Sequence, residues 1–311
     1  MEETKVAAMK PVAKLIGWLL LLSGVGNALP LLGWLYRCLN SHLDHTPSPL
    51  PSPAGFSFWY GGVGQGVLGL LGIVIGLGLL KLAPWSRRAA LGLLLALVLY
   101  WCVIPLLPLW QTPPAPVARG IVADTFFRVM TYLIGLIMLA ALPMRALWGV
   151  SRPPGHGNTL AERLLRLFPA ALSPLTIFLG VTLLCLAGRN FVTHFRFFFV
   201  LPHAWLREIG QAMGLANLLG FLYMPGFLLV GALLLPCQGW GHRTGRVVLP
   251  CLALVTALQC FLSCRIMWQT GVASHDPQFI IFVLSDALTN IGILAVLSCY
   301  LWKSDPPTIA A

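Results

Sequence analysis

The sequence predicts an all-α, polytopic membrane protein with about eight transmembrane helices. Hydrophobic residues make up 58% of the 311-residue chain and charged residues only 9%, whereas roughly a quarter of the residues of soluble proteins are charged. The chain contains eight apolar stretches long enough to cross a bilayer. Tryptophans mark the ends of most of them, where indole rings favour the headgroup region.

The apolar stretches form two groups of four. A helix needs about 20 residues to cross ~30 Å of hydrocarbon. The predicted spans are about 13–37, 57–82, 89–110 and 121–148 in residues 1–150, and about 169–187, 213–236, 246–268 and 278–302 in residues 151–311. The first span is expected to remain uncleaved, because its apolar run continues past Gly26-Asn27-Ala28 and is too long for a signal peptide core.

The basic residues predict the orientation of the spans. With the N-terminus inside, 13 of the 20 lysines and arginines lie in inner segments, 5 in outer segments and 2 within spans. Basic loops favour the cytoplasmic side, so the chain is expected in the cell inner (plasma) membrane with both termini cytoplasmic. The outer segment 188–210 is the exception, and its Phe-rich part is expected to lie in the membrane interface. Basic residues spread over short loops exclude nucleic acid as a partner.

The two groups of spans are predicted to be repeats of one four-helix unit. A shift of 158 residues aligns Arg88 with Arg246 and Trp110-Gln111-Thr112 with Trp268-Gln269-Thr270. Because four spans are an even number, both units keep the same orientation. The sequence therefore predicts a pseudo-two-fold axis along the membrane normal, relating residues 1–150 to residues 151–311.

Residues about 11–150 carry a recognisable pattern. Gly17-Trp18-Leu19-Leu20-Leu21 opens the first helix, Trp85-Ser86-Arg87-Arg88 forms a basic turn, and Leu142-Pro143-Met144-Arg145 closes the fourth span. This pattern resembles small four-helix bacterial inner-membrane proteins of unknown function that open with a G-W-L-L-L helix. The resemblance implies a four-helix membrane unit and assigns no activity. The second half departs from it, with Phe168-Pro169-Ala170 in place of the Gly-Trp opening.

Charged residues inside the predicted spans define a candidate polar centre in the outer leaflet. Arg128, Asp286 and Arg265 lie within spans, and Asp124 precedes Arg128 by one helical turn. Arg128 and Asp286 are related by the repeat, so they would face each other if the fourth and eighth helices lined the axis. Buried charges need partners. Three uses stay open: a structural salt bridge between the halves, a protonatable element of a transport path, or local pairs with Asp124 and Arg265.

Five histidines lie on the predicted outer side, and acidic residues lie close to several of them in the sequence. They are His42, His45, His194, His203 and His275. Imidazole and carboxylate groups suit zinc, although His42 and His45 are predicted in a Pro-rich loop without helical spacing. Solvated loop histidines and a metal-binding or pH-sensing site both stay open, and no metal ion or other cofactor is assigned.

The second predicted helix is rich in glycine. Gly62-x-x-x-Gly66 and Gly72-x-x-x-Gly76 permit close approach of another helix. The alternative is a broken helix that exposes carbonyl groups to a substrate, with Pro225-Gly226 as the counterpart in the second half.

The sequence contains no nucleotide-binding loop, zinc-protease motif or serine-hydrolase elbow, so an enzyme is not expected. The first functional hypothesis is transport, or binding of a small ligand or ion, through the polar centre. The alternative is a non-catalytic accessory or scaffold protein of the envelope that binds a membrane partner or a second copy of itself. A polar cavity at mid-depth would favour the first, and an outward face of small residues the second. The lipid bilayer is the partner common to both.

Overall fold

A computed structural model of the protein describes residues 2–43, 53–103, 115–142, 147, 173–199, 223–236, 238–269 and 277–303. The described part contains eight helices and no strand, which confirms the predicted all-α fold class. The helices are α1 (Glu2–Leu43), α2 (Pro53–Leu80), α3 (Ser86–Val103), α4 (Ala115–Ala141), α5 (Pro174–Phe199), α6 (Tyr223–Leu234), α7 (Gln238–Gln269) and α8 (Pro277–Lys303).

The helices have the length and surface of membrane spans. Within the described residues, five helices contain a window long and apolar enough to cross a membrane, and α4, α5 and α6 contain shorter apolar windows. Large apolar side chains point outward from the bundle; Leu254 is 72% exposed and Leu288 is 62% exposed. Because such a surface is unfavourable in water and favourable in lipid, the chain is a membrane protein.

Several helix ends differ from the predicted ones. α1 has 42 residues, about 63 Å at 1.5 Å per residue, so it extends well beyond the hydrocarbon and includes His42, which was predicted in a loop. α5 begins at Pro174 rather than near residue 169, because Ser173 caps it: the Ser173 Oγ accepts a hydrogen bond of 3.1 Å from the Thr176 N–H. At its other end α5 continues as helix to Phe199. α7 begins eight residues earlier than predicted, at Gln238.

The eight helices are arranged in a ring. Each helix packs against the next one along the chain, α8 packs against α1, and α1 also contacts α4 and α5 across the ring. If the two halves were exchanged, the α1–α8 contact would become the α4–α5 contact, and α1 would take the place of α5. Because α1 and α5 also contact each other across the ring, these two helices lie nearest to the expected pseudo-two-fold axis. The duplication stays a prediction.

Glycines allow α1 and α2 to approach closely. A Cβ atom added at Gly76 would lie 2.7 Å from the Gly17 carbonyl oxygen, and one added at Gly69 would lie 2.7 Å from the Gly24 carbonyl oxygen. This confirms the packing use of the α2 glycines. In the second half, an added Cβ at Gly231 of α6 would lie 3.0 Å from the carbonyl oxygen of Gly180 of α5.

A tight turn joins α2 to α3. The Ala83 N–H donates to the Gly78 carbonyl at 2.9 Å and the Leu82 N–H to the Leu79 carbonyl at 3.0 Å, the bonding pattern of a Schellman cap. Leu82 occupies the left-handed position with a φ of 52°, which usually favours glycine, and its side chain packs against the core. The turn brings Arg87 into the first helical turn of α3.

Arg87, in the first turn of α3, and Arg246, in the third turn of α7, bind the ends of α4 and α8. Arg87 donates to the carbonyls of Leu139, Ala140 and Leu142 at 3.2, 2.9 and 3.4 Å. Arg246 donates to the Leu301 carbonyl at 3.0 Å, so Arg87–Leu142 and Arg246–Leu301 have the same spacing of 55 residues. In the predicted duplication, the residue that corresponds to Arg246 by its contact is Arg87, one residue away from the Arg88 that the 158-residue shift selects; Arg87 is buried and Arg88 is exposed.

Candidate functional site

A cavity of about 120 Å³ lies inside the first half of the bundle, where it meets α5. Residues of α1, α3, α4 and α5 line it, and α8 contributes one residue, Ile293. Its polar lining consists of Ser23, Arg128, Thr131, Tyr132, Thr182 and Arg189. Because helices α1, α4 and α5 meet here without filling the space between them, the packing of the bundle itself creates the cavity.

Arg128 is held in place by α3. Its guanidinium carbon lies 4.3 Å from the centroid of the Trp101 ring, and Trp101 itself is only 8% exposed. A guanidinium over an indole face is stabilised by cation–π attraction. The Trp101 contact therefore restricts the position of the Arg128 guanidinium beside the cavity.

The crossing of α4 and α5 brings Arg189 to the same level. Gly188 packs directly against the Phe127 ring, which a side chain at position 188 would overlap. Phe127 and Gly188 immediately precede Arg128 and Arg189 along the chain. Because Phe127 contacts Gly188, the two arginines that follow them lie at the same level along the bundle. Both line the cavity.

Hydroxyl groups also line the cavity. Thr182 of α5 is 4% exposed, and Thr131 of α4 donates its hydroxyl hydrogen to the Phe127 carbonyl at 2.8 Å. The Ser23 hydroxyl of α1 accepts a bond of 3.3 Å from the Asn27 side-chain amide. An oxygen that already donates or accepts one bond retains further hydrogen-bonding capacity, so these groups extend the polar part of the cavity beyond the two charges.

The rest of the cavity wall is apolar. It is formed by Ile16, Leu19, Leu20, Leu94, Gly135, Phe178, Leu186 and Ile293. No acidic residue is among the described residues that line the cavity. Two positive charges in a largely apolar cavity attract an anion more strongly than they would in water, because charges interact more strongly away from bulk water.

The residues of the predicted polar centre lie in different parts of the structure. Arg128 lines the cavity, whereas Asp286 is exposed on α8 and accepts a hydrogen bond of 3.0 Å from the Asn290 amide. Arg265 is exposed near the end of α7. Among the contacts described for Asp286, none is to Arg128 or Arg265. α4, which carries Arg128, packs against α3 and α5 rather than against α8. The side chain of Asp124 lies outside the described residues.

The predicted histidine group lies outside the part of the structure that is described in full. His42 and His194 are in the helical backbone of α1 and α5, while their side chains, and all of His45, His203 and His275, are outside the described residues. Among the side chains that are described, no group of three or more metal-binding residues occurs. The metal-binding or pH-sensing site stays a prediction.

Arg189 is the site residue that the sequence analysis missed. It was assigned to an outer connection because the predicted span ended at residue 187, whereas α5 continues through it. The sequence does contain a signal. Phe178, Thr182, Leu186 and Arg189 recur at intervals of four, four and three residues, which places them on one face of a helix.

No family model, curated protein or solved structure matches the chain. The resemblance of residues 11–150 to small four-helix inner-membrane proteins therefore stays a prediction.

Proposed function

We propose that the protein is a transport-type membrane protein that binds a small organic anion in the cavity between α1, α3, α4 and α5. One observation carries the proposal: Arg128 and Arg189 line the same cavity, and no acidic residue is among its described lining residues. A guanidinium binds carboxylate, phosphate or sulfonate oxygens through charge-assisted hydrogen bonds. Two of them on different helices hold a single anion from two sides.

The accessory-protein hypothesis has less support. It required an outward face of small residues on α2, whereas Gly69, Gly72 and Gly76 pack against α1. The outward face of α2 instead carries large apolar side chains such as Leu70 and Val74, which suit lipid tails. The cavity with its polar lining is the feature that favours a ligand-binding protein.

The proposal is tested by binding measurements on the purified full chain in nanodiscs of zwitterionic lipid. Alkanesulfonates from methanesulfonate to hexanesulfonate are suitable probes, because a sulfonate stays ionised at every accessible pH and does not enter the bilayer as a neutral acid. We expect Arg189→Gln and Arg128→Gln each to weaken binding about tenfold to a hundredfold, the loss of one charge-assisted hydrogen-bonding partner. Titration calorimetry measures the change.

Arg243→Gln is the matched control, since Arg243 is an exposed arginine of α7 and does not line the cavity. It should bind the probes as the unmodified protein does. Equal affinity in the Arg189→Gln and Arg243→Gln variants, or no binding of any alkanesulfonate to the unmodified protein, would contradict the proposal.

A further inference from the structure

The polar and apolar parts of the cavity lie at opposite ends. Along α5 the lining residues run from Phe178 through Thr182 to Arg189, a distance of about 16 Å at 1.5 Å per residue. Along α4, which runs in the opposite direction, they run from Arg128 to Gly135, about 10 Å. The two arginines therefore share one end, Thr182 and Gly135 lie level with each other about 10 Å away, and Phe178 lies at the other end.

α1 supplies the same order of residues on the third side. Ser23 lies toward the end with the arginines, while Leu19 and Ile16 lie one and two turns farther from it. A ligand that carried only charge would occupy the arginine end and leave the apolar end unfilled. A ligand with an apolar chain attached to its charge would fill both.

From this order we infer that the ligand is an amphipathic anion: a carboxylate, phosphate monoester or sulfonate bound between Arg128 and Arg189, with one unbranched chain directed toward Phe178 and Gly135. The inference rests on the proposed function and names its ligand class. A volume of about 120 Å³ is slightly below that of an engineered cavity of ~150 Å³ that holds benzene. The cavity is partly open, so it does not have to enclose every atom of the ligand. Its lining extends about 10 Å along α4 from Arg128 to Gly135, the length of an anionic group with an extended chain of about six carbons. Two long acyl chains exceed this space.

Gly135 forms the floor of the chain-binding end. A Cβ atom added there would lie 3.6 and 3.7 Å from the two methyl carbons of Leu94, which is ordinary van der Waals contact. Alanine therefore fits at this position, whereas the larger side chain of leucine fills the space in front of Leu94. A change at residue 135 should alter the room for the chain and leave the arginines in place.

The experiment is a chain-length series, measured by calorimetry with the full chain in zwitterionic nanodiscs. The probes are methane-, butane-, hexane-, octane- and dodecanesulfonate, together with hexanol and hexyltrimethylammonium. Empty nanodiscs of the same lipid correct for partition into lipid. We expect affinity to rise by about fourfold per added methylene up to six to eight carbons and then to stop rising, with neither hexanol nor hexyltrimethylammonium competing.

Two glycine variants localise the chain. Gly135→Leu should abolish the gain from methane- to hexanesulfonate while retaining methanesulfonate binding, and Gly135→Ala should reduce the gain. Gly92→Leu is the control, because Gly92 of α3 has no atom within 4 Å of an added Cβ; its chain-length profile should be unchanged. If Gly135→Leu does not fold, the Gly135→Ala profile decides, and an unaltered profile counts against the inference.

The outcomes separate the inference from the proposed function. Equal binding of methane- and hexanesulfonate, sensitive to Arg189→Gln, would overturn the amphipathic ligand and leave the anion site standing. Binding of no alkanesulfonate would overturn both. If nanodiscs containing diacyl phosphatidic acid abolished hexanesulfonate binding, the anion would come from a membrane lipid, and the single short chain inferred here would be wrong.

Discussion

Arginines serve two different purposes in this bundle, and the difference lies in what each guanidinium contacts. Arg87 is 8% exposed and donates to three carbonyls at the end of α4, groups that have no partner within their own helix. Its positive charge is also favourable at the negative end of a helix dipole. Arg128 and Arg189 instead line a cavity.

The Arg87 contacts lead to a stability prediction. Arg87→Gln should lower the free energy of unfolding by about 2–3 kcal/mol, because it removes charge-assisted hydrogen bonds from buried carbonyls. Arg88→Gln is the matched control, since Arg88 is exposed beside it. Arg246→Gln should cost less than Arg87→Gln, because the Arg246–Trp302 contact lies at the exposed surface. Thermal unfolding in detergent gives the order, and a similar loss for Arg88→Gln would contradict it.

At the scale of the helices, α1 and α2 pack through direct contact of their backbones rather than through interlocking large side chains. α1 and α2 meet through glycines, so carbonyl and amide groups of one helix lie directly against the other. Because lipid tails are as apolar as leucine, van der Waals contact rather than the hydrophobic effect holds two membrane helices together. The α1–α2 pair forms one wall of the first half, and α1 in turn forms one side of the cavity.

The helix contact predicts opposite effects for two substitutions of the same kind. Gly76→Ala should destabilise the protein by about 1–3 kcal/mol, because the new methyl group would meet the backbone of α1 and push the helices apart. Gly92→Ala should stabilise it by up to about 1 kcal/mol, since alanine favours a helix over glycine and nothing lies within 4 Å. Measured unfolding free energies of the same sign for both variants would contradict this account of the α1–α2 contact.

For the whole molecule, the sequence predicted the fold better than the site. The apolar stretches predicted all eight helices of the described part, because a helix in lipid must satisfy its own backbone polar groups and so needs an uninterrupted apolar run. The residues at which the helices begin and end were less predictable. Ser173 shortens the start of α5 by capping it, and the same helix then continues through Arg189, neither of which hydropathy reveals.

Which residues form the site is determined by which helices pack together, and a single sequence contains little information about helix packing. Arg128 was identified because a charge inside a span is unusual. The repeat predicts Asp286 as its partner, but in the structure α1 and α5, not α4 and α8, lie nearest to the centre of the ring. Arg189 reaches the cavity through the Phe127–Gly188 contact between α4 and α5, a tertiary contact without a sequence motif.

The most direct test of the anion site is an experimental structure of the protein with 6-bromohexanesulfonate, whose bromine is located by anomalous scattering. The account predicts one bromine peak at the end of the cavity near Phe178 and Gly135, with sulfonate density between Arg128 and Arg189. A bromine peak elsewhere on the protein, with no sulfonate density between the two arginines, would contradict it.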